Sequence, residues 1–156
     1  MQTKYRKKDL AFVTSGGRTG TQFFGDRLSE VISNCHSEHD PDILSIFIER
    51  VGQRIATFGF QHMILGKALG RSGIRAVGQA WLTNRSEEAE CLAKLRNARS
   101  AFHEKIDAPL IIESNSQWWM VSDLIHKVWP DAKVIAIVRD PGTCQPFSNR
   151  SAHFSM

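Results

Sequence analysis

The sequence is short of cysteine, of long apolar runs and of charge of one sign, and each shortage closes off a class of protein. There are three cysteines in 156 residues, Cys35, Cys91 and Cys144. Odd in number and widely spaced, they suit neither a disulfide framework nor a zinc site, so a reducing, cytoplasmic setting is the simplest expectation. No window approaches the ~20 apolar residues of a membrane helix, and the basic N-terminal residues are not followed by the apolar stretch of a signal peptide. The net charge of +4 favours anionic ligands but is too small and scattered for a nucleic-acid surface. The cluster Lys4, Arg6, Lys7, Lys8 reads as a solvated, flexible tail over residues 1–8.

What is present is ordinary globular material: 42% hydrophobic and 23% charged residues, enough for one domain with a real core. Candidate strands are Leu10–Thr14, Leu110–Glu113 and Lys133–Val138, with a weaker one over about Ile32–His36. Lys133–Val138 is continuously apolar after its first residue, as in a strand covered on both faces. Helical stripes lie between them. Phe24, Leu28, Val31 and Ile32 mark one; Leu44, Phe47, Ile48, Val51 and Ile55 another. Residues 60–82 are interrupted by Gly66, Gly70, Gly73 and Gly78 and predict two short pieces. Asn84 and Glu87 resemble a capping box for a long helix with Leu92, Leu95, Phe102 and Ile106 on its inner face and a Glu90–Lys94 pair outside. Trp118, Val121, Leu124, Ile125 and Val128 mark the last helix, which Pro130 ends. Strands alternating with helices predict a three-layer α/β domain with a parallel sheet and helices on both faces. The helical block at 41–106 exceeds a normal crossover and predicts a cap or side wall.

The stretch LAFVTSGGRTGTQFF at residues 10–24 carries the most chemistry. A strand that turns through Ser15, Gly16 and Gly17 into a helix starting at Thr21 makes a P-loop-like phosphate-binding turn, because unpaired N–H groups and the helix dipole point at the anion. Arg18 adds a positive charge inside the turn. The lysine of the ATP-binding G-x-x-x-x-G-K-[ST] pattern is missing, which disfavours a Mg²⁺-dependent NTPase. A plain glycine turn without a ligand is the alternative. Arg139 follows the last strand at its carboxyl end, where open α/β sheets bind ligands, and its planar fork suits a phosphate. A structural arginine paired with Asp140 or a helix end is the alternative there.

Taken together, the glycine turn, the later Glu113-Ser114-Asn115 and the run WPDAKVIAIVRDP ending at Pro141 resemble the sulfotransferase superfamily, over residues 8–40 and 109–148. The resemblance implies 3′-phosphoadenosine 5′-phosphosulfate as donor co-substrate and no metal. It implies that Gly17, Arg18, Thr19, Gly20, Thr21 and Gln22 hold the 5′-phosphosulfate, with Arg18 stabilising the bridging oxygen as the sulfuryl group leaves. Arg139 and Ser148 would hold the 3′-phosphate. Ser148 lies nine positions after Arg139, one more than the family spacing, and Pro146 interrupts the interval. The resemblance also implies a chain shortened at its C-terminus, because a later glycine- and basic-rich segment completes the nucleotide site in the family.

Sulfuryl transfer needs a proton acceptor. Glu38 is the first candidate, from its place near a Glu or His in related enzymes, with His36 and His39 behind it. A polar loop capping the next helix through Asp40 before Pro41 is the alternative. His36, Glu38, His39 and Asp40 lack the distant partner that a metal site requires. Glu113, Ser114 and Asn115 are candidates for orienting donor or acceptor, or else a cap by Ser114 or Ser116. Trp118 and Trp119 can stack on a base or sugar, though Trp118 belongs to the apolar stripe. His62, His103, His126 and His153 have no nameable partner. The acceptor is expected to be a small molecule or glycan with a hydroxyl or amine; its identity and the oligomeric state are not legible. A P-loop small-molecule kinase and a non-catalytic nucleotide- or partner-binding relative are the rival readings.

Overall fold

A computed structural model describes residues 7–16, 20–42, 51–63 and 73–140. Four strands, β1 (Asp9–Ser15), β2 (Cys35–His39), β3 (Leu110–Ser114) and β4 (Lys133–Ile137), form one sheet in the order β2-β3-β1-β4. All three pairings are parallel, so every strand ends on the same edge. The register sets Glu38 beside Glu113, Phe12 beside Glu113 and Val134, and Ser15 beside Ile137.

The two faces of the sheet are covered by helices, as the alternation of strand and helix predicts. On one face, Phe24 and Leu28 of α1 (Thr21–Val31) pack over Ala11, Val13 and Ile112. On the other, Phe12 meets Ile74 and Val77 of α3 (Ile74–Leu82) and Cys91 and Leu95 of α4 (Glu88–Lys105). Trp118 of a 3₁₀ segment (Ser116–Val121) and Leu124 and Ile125 of α5 (Ser122–Val128) complete that core. Of the expected helical block, α2 (Val51–Phe58) lies against α4, with Phe58 stacked on Phe102 at 5.6 Å. Among the described residues no helix is long and apolar enough to cross a membrane.

Several local expectations are corrected. The second strand is Cys35–His39, three residues beyond the apolar signal at Ile32, because α1 runs to Val31, Ile32 caps it and Asn34 turns the chain at φ 56°; Val31 and Ile32 are exposed and do not join the buried stripe of Phe24 and Leu28. The run His36–His39 is therefore strand, half-buried throughout, and not a polar loop. Asn84 does not open a capping box. It sits at φ 52° in the left-handed region, where it terminates α3 by donating its N–H to Trp81, and Glu87 precedes α4 without a side-chain cap. Asparagine suits both positions, so spacing to Glu87 alone misleads. Among the described residues β4 pairs with β1 alone, and Ile135 is 41% and Val138 88% exposed, so described residues do not cover this strand on both faces. Lys8 is not a solvated residue: its ammonium donates to the carbonyls of His103 and Ile106, where it satisfies the C-terminal end of α4. The strand readings at 110–113 and 133–138 hold to within one residue. Residues 43–50 and 64–72, with the remaining helical and glycine signals, lie outside the described residues.

Candidate functional site

The carboxyl edge of the sheet is assembled from the ends of β1 and β3. Gly20 takes φ 104°, a conformation that costs glycine little, and α1 begins at the next residue. Gly20, the N-cap residue of α1, supplies no side-chain cap, and the first turn of the helix holds no acidic residue. The exposed end is therefore attractive to an anion. Thr21 is buried and its carbonyl accepts from the Ser114 hydroxyl, which ties the helix start to β3. Thr14 Oγ1 accepts from the Trp119 N–H at 2.8 Å and donates to the Ser116 carbonyl at 3.3 Å. Asn115 Oδ1 accepts from the Gln117 N–H at 2.7 Å, and its amide donates to Asp40. Asn115, and neither Ser114 nor Ser116, thus caps the turn after β3. Trp118 is fully buried with its ring 4.4 Å from Phe12, while Trp119 is 52% exposed at the edge. Arg139 lies two residues past β4, exposed, on the edge where the Ser15–Ile137 pair ends the β1–β4 register.

A row of charge lies on the α4 face. Glu38 and Glu113 are register neighbours on one side of the sheet, and two adjacent carboxylates require counter-charge. Arg54 lies 2.7 Å from Glu38, whose other oxygen meets His36 Nε2 at 3.2 Å. Burial pushes the Glu38 carboxyl up, but the His36 hydrogen bond and the Arg54 charge together outweigh it and hold the group below the usual carboxylate range. Glu113 is answered by Arg99 at 2.7 Å and by His103 Nε2 at 2.5 Å. Arg99 also lies 3.2 Å from Asp42, and all three charged groups are excluded from solvent. Burial disfavours the guanidinium charge, yet the two carboxylates raise its pKa further above the ordinary value. Asp42 meets His62 Nε2 at 3.1 Å.

Two hollows adjoin this row. One of about 120 Å³ is lined by Glu38, Arg54, Phe58 and Phe102. A larger one of about 620 Å³ lies between the end of α2, the start of α3 and the outer side of α4, and Phe58 belongs to its wall too.

A parallel α/β sheet with an uncapped helix start and an arginine at its carboxyl edge is common to many nucleotide-handling folds; the family match decides among them. A model described as the sulfotransferase family matches residues 11–155. The chain belongs to the sulfotransferase family. No curated protein and no solved structure matches it. The match runs through residues 41–106 as well as the two motif-bearing ends.

Of the residues named from the sequence, the fold brings Gly20, Thr21, Gln22 and Arg139 to one sheet edge. Glu38 and His36 are joined on one face of β2. Gly17, Arg18, Thr19 and Ser148 lie outside the described residues. Glu113 is absorbed by Arg99 and His103, so it holds the interior and does not face the edge. His62 and His103 do have partners, Asp42 and Glu113. Sequence reasoning missed Asp42, Arg99 and His103, although Arg99 and His103 stand at helical spacing from Cys91 and Leu95 on the buried stripe of α4. Among the described residues no three His, Cys, Asp or Glu side chains converge on a possible metal position.

Proposed function

We propose that this protein transfers a sulfuryl group from 3′-phosphoadenosine 5′-phosphosulfate to a hydroxyl or amine of a small molecule or glycan. What supports the reading is that a sulfotransferase-family chain has the α1 start after β1 and Arg139 after β4, two neighbouring parallel strands. The N–H groups at residues 16–22 and Arg18 stabilise the phosphosulfate; Arg139 and Ser148 hold the 3′-phosphate. The acceptor atom bonds to sulfur as the bond from sulfur to the bridging phosphate oxygen breaks. That electron pair leaves with 3′-phosphoadenosine 5′-phosphate. The acceptor's proton passes to the Glu38–His36 pair, in which Glu38 is ionised and His36 lies within hydrogen-bond reach. Trp119, exposed beside the turn, offers a stacking surface for the adenine.

Calorimetry with 3′-phosphoadenosine 5′-phosphate tests the donor site. Arg18→Ala and Arg139→Ala are each expected to weaken binding by about ten- to a hundredfold, the worth of one charge-assisted contact. Absence of binding, alongside binding of Mg·ATP, replaces the reading with a kinase. Glu38→Gln is expected to lower turnover by about 10²–10⁴ with nucleotide affinity unchanged. Nucleotide binding without turnover on any hydroxyl or amine acceptor leaves a non-catalytic relative.

A further inference from the structure

Arg54 stands apart from the other cation of the charge row. Arg99 is wholly buried, and two carboxylates share it. The Arg54 side chain is 13% exposed, and its Nη2 lies 2.7 Å from Glu38 Oε1. Among the described residues its guanidinium meets no second carboxylate. It borders the hollow of about 120 Å³ together with Glu38, Gln53 and Thr57. The seating of α2 brings this charge to β2. Phe58 follows Arg54 by about one helical turn, and its ring is stacked on Phe102 of α4. Lys105, at the end of α4, donates to the Ala56 carbonyl at 2.8 Å. With α2 fixed at both points, the guanidinium reaches β2, where His36 and Glu38 stand on the same face.

Glu38 needs such a partner. It is largely withdrawn from water, and Glu113 is its register neighbour on β3. Arg99 and His103 of α4 are both engaged by Glu113. Asp40, two positions on from Glu38, is engaged by the Asn115 amide. Phe58 of α2 and Phe102 of α4 add apolar surface on the hollow's side. Among the described residues Arg54 is therefore the fixed positive charge left for Glu38, and it occupies one carboxylate oxygen. The other, Oε2, is left to His36 Nε2 at 3.2 Å.

Resting on the sulfuryl-transfer reading, we infer that Arg54 is the positioning residue of the proton acceptor: it holds Oε1 of Glu38, leaves Oε2 to His36, and keeps the carboxylate charged for the acceptor's proton. An arginine suits this task. Its guanidinium does not lose its charge, and its planar fork fixes direction as well. A lysine supplies the charge alone, and a neutral amide the hydrogen bond alone. Without the charge, Glu38 is a carboxylate that burial pushes toward protonation, and a protonated Glu38 takes up no further proton. The contribution of Arg54 thus shows as a pH below which turnover fails, and not as a uniform loss.

The test titrates the Glu38 carboxyl carbon by NMR in the full chain, its signal identified by its loss in Glu38→Gln. It also follows kcat against pH, as release of 3′-phosphoadenosine 5′-phosphate from the phosphosulfate with glucosamine and with 2-naphthol as acceptors. The wild-type midpoint is expected below the ordinary 4.5. Arg54→Gln keeps a hydrogen-bond donor and loses the charge. It is expected to raise the midpoint by about one to three pH units and to move the acid limb of kcat up with it, so that raising the pH recovers most of the lost turnover. Arg54→Lys restores at least half of that shift. Affinity for 3′-phosphoadenosine 5′-phosphate, read by calorimetry, stays within twofold in both variants. A wild-type midpoint at or above 4.5 overturns the inference without any variant. So does an unmoved midpoint in Arg54→Gln, or turnover that a folded Arg54→Gln loses equally at every pH. A raised midpoint in a protein that binds no 3′-phosphoadenosine 5′-phosphate upholds the hold of Arg54 on Glu38 and defeats the donor reading instead.

Discussion

Arg99 shows how one residue can organise an interior. Its guanidinium is wholly buried, lies 5.5 Å from the Trp118 ring centre and bridges Asp42 beyond β2 to Glu113 on β3. The two acids come from segments that would repel one another without it. Removing the cation while leaving both carboxylates strands buried negative charge, which costs far more than the pair contributes when intact. Arg99→Met is therefore expected to destabilise the fold by about 3–5 kcal/mol in urea unfolding, while adding Asp42→Asn and Glu113→Gln restores most of the loss. A loss below about 1 kcal/mol would mean that water reaches the network and screens it.

At the scale of elements, the contact that positions the anion-facing helix is α1 on β2. Gly25 makes it possible: a Cβ there would stand 2.5 Å from the His39 backbone nitrogen. In an unpacked helix, replacing glycine by alanine stabilises by about 1 kcal/mol. Here the sign reverses, because backbone cannot yield as a side-chain tip can. Gly25→Ala is expected to cost about 1–3 kcal/mol, read as a lower melting temperature. The displaced helix start also weakens binding of 3′-phosphoadenosine 5′-phosphate. A gain in melting temperature would show that α1 does not seat this closely. The same element illustrates what pattern reading resolves. The stripe Phe24, Leu28 names the buried face of α1, but nothing local says that Gly25 must be glycine, because the reason lies on another strand.

For the whole molecule, acidity probes how the sheet is held together. Glu38 has a folded pKa below its ordinary value of 4.5 through His36 and Arg54, despite burial. A depressed carboxylate contributes stability that is fully present above the unfolded value and is lost as pH falls through the folded one. The urea midpoint of the wild type is expected to fall more steeply below about pH 4.5 than that of Glu38→Gln, which has no such proton to take up. Parallel slopes would show that the Arg54 and His36 contacts carry no net stability.

The class of the fold and three of its four strands follow from the chain itself, because they rest on local things: apolar runs, glycine placement and the periodicity of stripes. The Arg139 edge was legible for the same reason, since a strand followed by R-D-P reads in one direction. The partners of Glu113, His62 and His103 were not legible. Asp42 and Arg99 stand 57 positions apart, and only the parallel pairing of β2 with β3 brings their segments within ion-pair distance. The hollow beside α4 was equally hidden, for a space has no residue of its own; it appears only where glycine and alanine from separate elements face one another.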